Sequence, residues 1–134
     1  MKIKEILLRE SGQPVYYHAT SERFEQFSNR FTGSIGFFFT DDYNIAMRFK
    51  DSRRDPNARI IAAHLTMNNP LMANEANPDA DEVDAIVSKK GGGNPRKLRR
   101  ELLMAKGYDS IIFKGEVVVF EPEQIHIIDH DFTK

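Results

Sequence analysis

Short apolar runs that alternate with turn-forming residues are the main pattern along the chain. The strongest run is Val117-Val118-Val119-Phe120, which follows Glu116 and stops before Pro122. Three β-branched residues and a phenylalanine favour a strand, and a proline ends it because it lacks a backbone donor. Weaker runs of the same kind predict further strands over residues 15–17, 36–41, 59–67, 108–113 and 124–128.

Three other segments carry apolar residues at helical spacing, and they predict helices over 42–50, 79–90 and 96–106. Between the last two lies Gly91-Gly92-Gly93-Asn94-Pro95, which predicts a hinge. This glycine run lacks the lysine and spacing of a P-loop and follows no strand, so a phosphate cradle is the weaker interpretation. Residues 1–13 suggest an amphipathic helix or strand, and a helical turn with Phe24 and Phe27 is expected after Thr20.

Length and composition indicate one globular domain over residues 1–134, with a core over about 15–128. The net charge of −1 argues against broad electrostatic binding to nucleic acid or membrane, although a local basic patch stays open. The basic residues of 96–106 are read as a solvated helix face. The chain has no cysteine, no apolar run long enough for a membrane span and no signal-peptide pattern. We therefore expect a cytoplasmic protein.

Two polar residues stand where strands begin or end. Glu116 opens the valine-rich strand, where rigid backbone would hold a carboxylate that can still face a cleft. His18 ends the strand that begins at Val15. Taken alone, each is more often a structural residue than a catalytic one. Among three successive aromatic residues, Phe38 points away from its two neighbours and is the one that could line a cleft.

The remaining histidines predict no metal site. His64 is expected on a sheet face with a hydrogen-bond partner. His126 and His130 are four residues apart, but a strand gives that spacing no chelating face.

Three motifs, in this order, resemble the ADP-ribosyltransferase superfamily, in its His–Tyr–Glu branch with diphtheria toxin and the poly(ADP-ribose) polymerases. They are Tyr17-His18-Ala19-Thr20, then Gly36-Phe37-Phe38-Phe39-Thr40-Asp41 with Ala46 and Phe49, and finally Glu116-Val117-Val118-Val119-Phe120 with Gln124-Ile125. The connectors Asn69-Pro70-Leu71 and Gly107-Tyr108-Asp109 are similar to those of small phage and prophage members. The resemblance covers residues 15–128.

The resemblance implies an α+β fold in which two small packed antiparallel or mixed sheets form a cleft for NAD+. It also implies that Glu116 stabilises an oxocarbenium-like transition state when the nicotinamide–ribose bond breaks. His18 would bind the adenosine ribose, the Ala19 backbone the carboxamide, and Thr20 the nearby ribose. The acceptor would be an unknown macromolecule, either protein or nucleic acid, and no metal or membrane is implied.

This sequence departs from the branch at the two tyrosines that sandwich nicotinamide, which are Phe38 and Phe49 here. Stacking on an aromatic face is kept, but the hydroxyl contacts are lost. The leading hypothesis is a mono-ADP-ribosyltransferase that acts on a host macromolecule. An NAD+ glycohydrolase and a non-catalytic binding module that kept the fold are the alternatives.

Lys114 indicates which chemical class of acceptor to expect. Arginine-modifying relatives resemble one another in carrying a second acid two residues before the catalytic glutamate, because a protonated guanidinium must be held by a carboxylate. Here that position is Lys114, which with Gly115 is predicted to form the turn into the Glu116 strand. Strand spacing would place Lys114 and Glu116 on the same side. We therefore predict a neutral or anionic acceptor, with a surface salt bridge of Lys114 as the alternative.

Overall fold

The computed structural model describes residues 13–21 and 35–132, and within them the fold is α+β. The strands are β1 Tyr16–Thr20, β2 Phe37–Thr40, β3 Arg59–Leu65, β4 Pro70–Met72, β5 Ser110–Phe113, β6 Glu116–Val119 and β7 Ile125–Asp129. The helices are α1 Tyr43–Ser52, α2 Pro78–Lys90 and α3 Pro95–Ala105, with a 3₁₀ turn at Pro122–Gln124. The amphipathic segment expected over residues 1–13 and the turn with Phe24 and Phe27 lie outside the described residues, apart from Gln13.

Hydrogen bonding joins the strands in the order β4-β5-β6-β2-β1-β3-β7. The pairing of β4 with β5 is parallel, whereas β5 with β6, β1 with β2, β1 with β3 and β3 with β7 are antiparallel. The prediction of two small sheets is wrong for the described strands, which form one mixed sheet of seven strands. The sheet is continuous because β2 is hydrogen-bonded to β6 on one edge and to β1 on the other.

All three predicted helices are present, and side-chain caps fix where they begin. Asp42 accepts hydrogen bonds from the backbone of Asn44 and Ile45 at the start of α1. Asn77 and Asn94 do the same for α2 and α3, each followed by a proline in the first helical turn. The helix α2 ends at Gly91, whose φ of 63° is left-handed and suits glycine.

The chain divides into two compact units. Of the described residues, the first unit contains 13–21, 39–66 and 125–132, and the second contains 35–38 and 67–124. The core of the first unit is a cluster in which the ring of Tyr17 meets the rings of Tyr43 and Phe132. The buried members of this cluster are Ala46, Ile60, Ala62 and Phe132.

The core of the second unit packs α2 and α3 against β4, β5 and β6. Its buried members are Leu71, Val83, Val87, Leu103, Val118 and Phe120. Ion pairs join the two helices on the surface, where Lys106 meets Glu82 at 2.6 Å and Arg99 meets Asp84 at 3.1 Å. The apolar residues, rather than these exposed pairs, hold the helices in place.

Two short elements are not predicted from the sequence. The connector that begins at Asn69 leads into Pro70–Met72, a strand that pairs in parallel with β5. The other element is the 3₁₀ turn at Pro122–Gln124. The strand β4 exists only because a partner strand 40 residues later in the chain supplies its hydrogen bonds.

Candidate functional site

Glu116 is the first residue of β6, and its carboxylate is exposed. The three valines that follow are all buried, so the strand is anchored directly behind the glutamate. The carboxylate makes no hydrogen bond or ion pair with any of the residues that the structure describes. Glu116 therefore presents a free carboxylate at the start of a fixed strand, as the sequence predicted.

A two-residue turn joins β5 to β6, with Phe113 as the cross-strand partner of Glu116. Lys114 and Gly115 form the turn, with φ values of 49° and 85°. Positive φ at both central residues suits the right-handed twist of a tight hairpin, although a lysine rarely adopts it. The predicted turn at Lys114 and Gly115 is confirmed, and Lys114 therefore does not lie on one strand with Glu116 as the same-side prediction required.

The ammonium group of Lys114 instead lies over the ring of Phe113, with Nζ 5.5 Å from the ring centroid. Directly opposed residues of an antiparallel pair point to the same face, so Phe113 and Glu116 share a face. Phe113 is 43% exposed. The hairpin thus offers an aromatic ring and a cation beside the glutamate.

Gln124 closes the other end of β6. Its side-chain oxygen accepts hydrogen bonds from the backbone N–H groups of Phe120 (3.1 Å) and Glu121 (2.8 Å). Its side-chain nitrogen donates to the carbonyl oxygen of Asp109 at 2.9 Å. Because Gln124 is buried, these bonds are shielded from water and fix the exit of the strand. The glutamine of the third motif is therefore a structural clamp.

Asp109 ties the loop before β5 to the loop before β4. Its carboxylate accepts hydrogen bonds from the backbone of Asn68 (2.7 Å) and Asn69 (3.1 Å). In return the Asn69 side chain donates to the carbonyl oxygen of Gly107 at 2.8 Å. The two connectors noted in the sequence are thus one hydrogen-bonded clasp, which brings β4 and β5 into register.

Gly36 sets how closely β2 approaches β6. A Cβ atom at this position would lie 2.5 Å from the carbonyl oxygen of Val119 and 2.8 Å from a methyl group of Val118. Real side chains do not come this close to backbone. The glycine at the head of the second motif is therefore required by packing.

The two phenylalanines expected to stack on nicotinamide are largely exposed. Phe38 is 53% exposed and Phe49 is 56% exposed, whereas Phe39, next to Phe38, is buried. Neither Phe38 nor Phe49 belongs to a core cluster of the described residues. More than half of each side chain is accessible to solvent.

The first motif lies on β1, where His18 pairs with Ile61 and Thr20 with Arg59 of β3. The ring of His18 lies 5.3 Å from the ring of Phe39. Thr20 is buried, and Ala19 and His18 are half-buried. Burial, and secondarily the nearby carboxylate of Asp41, raises the pKa of Tyr16 at the start of the strand.

Glu116 and Phe38 lie in the second unit, and the other predicted site residues lie in the first: His18, Ala19, Thr20 and Phe49. Their roles stay predictions. Sequence reasoning gave no structural role to Gln124 and Asp109, which fix the strands around Glu116. A signal was available, because an amide two residues after Pro122 and an acid directly before a strand are typical of side chains that bind backbone.

The other predicted features concern metals and membranes. Among residues 13–21 and 35–132, no group of three or more His, Cys, Asp or Glu side chains could hold a metal ion. His126 shares a hydrogen bond of 2.8 Å with the hydroxyl of Thr66. No helix in the described part of the chain is long and apolar enough to cross a membrane.

A family model described as ADP-ribosyltransferase in polyvalent proteins matches residues 10–134. This match confirms the superfamily predicted from the three motifs. No curated protein matches the chain. Among solved structures, a crystal structure of an anti-CRISPR protein is 14% identical with a TM-score of 0.46, and the match covers 85% of this chain and 94% of that chain.

Proposed function

Since the chain belongs to the family of ADP-ribosyltransferase domains found in polyvalent proteins, we propose that it is a mono-ADP-ribosyltransferase with NAD+ as its substrate. The observation that carries the proposal is Glu116, an exposed carboxylate at the start of a strand that is buried behind it. A carboxylate held in this way is preorganised to face positive charge.

In the proposed reaction the bond between the nicotinamide nitrogen and the ribose C1′ breaks. Its electron pair stays on the nicotinamide nitrogen, and positive charge develops on the ribose. The carboxylate of Glu116 stabilises that charge. An acceptor O–H or N–H group then forms the new bond to C1′ and releases its proton to solvent, which leaves free nicotinamide and an ADP-ribosylated acceptor.

The residues proposed to bind NAD+ follow the family roles. His18 hydrogen-bonds the adenosine ribose, the Ala19 backbone binds the carboxamide, and Thr20 binds the nearby ribose. Phe38 and Phe49 stack on nicotinamide, and the exposure of both rings supports this assignment. Thr20 is the least accessible of these residues.

The acceptor is proposed to be a macromolecule of the host cell, and the cytoplasm is the proposed site of action. Hydrolysis of NAD+ by water in place of the acceptor is the neighbouring activity. A non-catalytic binding module is the other alternative, which the missing tyrosine hydroxyls at Phe38 and Phe49 favour.

The experiment incubates the protein with NAD+ labelled on the adenylate side, with and without a bacterial lysate, and measures nicotinamide release and labelled macromolecules separately. Transfer predicts both products in the lysate. Release of nicotinamide without labelled macromolecule identifies the glycohydrolase, and neither product identifies the binding module.

Glu116→Gln keeps the shape of the side chain and removes its charge, so turnover should fall about a hundred- to thousandfold while the melting temperature is retained. Glu123→Gln is the matched control, because Glu123 is also exposed and lies just beyond the same strand. Glu121→Gln is a second control. Nicotinamide release at the native rate from folded Glu116→Gln protein would reject the proposal.

A further inference from the structure

Six cations without an intervening acid run from the end of α2 into the first half of α3. No acidic residue lies between Asp84 and Glu101. The chain as a whole has 20 acidic and 19 basic residues, so this run is a local concentration of charge. The cations are Lys89, Lys90, Arg96, Lys97, Arg99 and Arg100.

Four of these side chains are exposed and unpaired. Lys89, Lys90, Arg96 and Lys97 are all exposed, and none makes an ion pair or side-chain hydrogen bond with any residue of the described ranges. Other cations of the same helices behave differently, because Arg99 pairs with Asp84 and Lys106 with Glu82. We call residues 89–97, together with Arg100, the basic junction.

Helix stability does not explain this arrangement. Arg96 and Lys97 lie in the first turn of α3, which contains no acid. Cations there oppose the positive end of the helix dipole, so they weaken the helix instead of supporting it. Positions that break a local rule without a structural gain are expected at functional surfaces.

Arg100 lies one turn after Arg96 on the same side of α3. Its Nε and Nη1 atoms are buried and have no hydrogen-bond partner among the described residues. These two atoms are closed to an external ligand, but the charge of Arg100 adds to the positive potential of the junction.

The chemistry of the junction distinguishes between possible partners. Protein interfaces rely on buried aromatic or aliphatic anchors, and residues 88–97 offer none apart from Pro95. Phosphate groups are bound by lysine, arginine and asparagine side chains and by backbone N–H groups. The backbone at Gly92 and Gly93 is open, because no atom lies within 4 Å of a Cβ built at either residue.

We propose that the basic junction binds the phosphate backbone of a nucleic acid. Four separate cations spread over nine residues fit successive phosphates better than one small anion. Binding is expected to show little sequence preference, since the junction has no aromatic ring to stack on bases. The inference goes beyond the proposed function, because it requires neither NAD+ nor Glu116.

The test measures fluorescence anisotropy of labelled oligonucleotides of about 20 nucleotides, without NAD+, as salt rises from about 50 to about 200 mM. Single-stranded and duplex DNA and single-stranded RNA form separate arms. Four phosphate contacts predict a slope of log K against log salt of roughly −3 to −4 for duplex DNA, and a loss of affinity of roughly a hundredfold over this range.

Two double variants divide the junction, namely Lys89→Gln with Lys90→Gln and Arg96→Gln with Lys97→Gln. Each double variant should make the negative salt slope less steep by about 2. The second pair should also keep or raise the melting temperature, because it removes cations from the start of a helix. Arg48→Gln with Arg53→Gln is the control, since it removes two exposed cations elsewhere and should leave the slope unchanged.

The proposal is overturned if no oligonucleotide binds at the lowest salt or if both double variants of the junction keep the native salt slope. It is also overturned if the control double variant flattens the salt slope as much as the junction variants do. Competition by a polyglutamate peptide as effective as that by DNA would identify an acidic protein surface as the partner and would also overturn it.

Discussion

Phe113 and Glu116 are cross-strand partners at the closed end of the β5–β6 hairpin. The ammonium of Lys114 lies over the ring of Phe113, so a cation is held on the side of the hairpin that carries the glutamate. Lys114 lies in the predicted turn before the strand of Glu116. Its charge contacts the phenylalanine that pairs with the glutamate.

This arrangement predicts which acceptors the protein does not modify. A cation beside the acceptor side repels a guanidinium, so agmatine and free arginine should not be modified by the native protein. Lys114→Glu should leave NAD+ cleavage intact, and Lys114→Asn is the control, since asparagine tolerates positive φ and removes the charge without adding an acid. Mass spectrometry of agmatine incubated with the protein and NAD+ measures whether ADP-ribose is transferred to it. Efficient modification by the native protein would contradict the prediction.

His18→Ala should raise the KM for NAD+ about five- to tenfold with little change in kcat, the loss expected for one hydrogen bond. The physical reason is that the proposed partner, the adenosine ribose, is remote from the bond that breaks, so binding is lost uniformly. The contact between His18 and Phe39 provides the competing explanation. A lower melting temperature with an unchanged KM would show that the ring serves packing alone.

Phe38→Tyr and Phe49→Tyr should be tolerated, with NAD+ affinity unchanged or improved. Both rings are more than half exposed, so an added hydroxyl can reach water and carries no burial cost. The alanine variants should weaken NAD+ binding roughly tenfold or more, because stacking on a base-like ring is lost. Titration calorimetry measures both effects.

The control for the alanine variants is Met104→Ala, which removes an exposed apolar side chain elsewhere. Unchanged affinity for NAD+ in both phenylalanine-to-alanine variants would reject their role in stacking.

Gly36→Ala should destabilise the protein by roughly 1–3 kcal/mol, since the new methyl group would meet the backbone of Val119, which cannot rotate away. For a chain of this length the melting temperature should fall by roughly 3–6 °C per kcal/mol. Gly92→Ala is the matched control, because nothing lies within 4 Å of its Cβ position. Equal melting temperatures for the two variants would mean that β2 can move away from β6.

Most of the local structure follows from the amino-acid sequence alone. The valine run from Glu116, the aromatic run before Asp41 and the three amphipathic segments all gave the predicted elements, because strand and helix preferences depend on residues only a few positions apart. The superfamily can also be predicted from the sequence, because its three motifs lie on short continuous segments.

The contacts that hold these segments together are visible only in the folded protein. The clamp of Gln124 on Asp109, the clasp between Asn69 and Gly107 and the fit of Gly36 against Val119 join positions 15 or more residues apart. No local pattern encodes such partners. The exposure of Phe38 and Phe49 was undecided for the same reason, since burial depends on what the rest of the chain places over a side chain. The turn at Lys114 and Gly115 is predicted from the sequence, but the positive φ of the lysine is imposed by the two strands that it joins and not by its own preference.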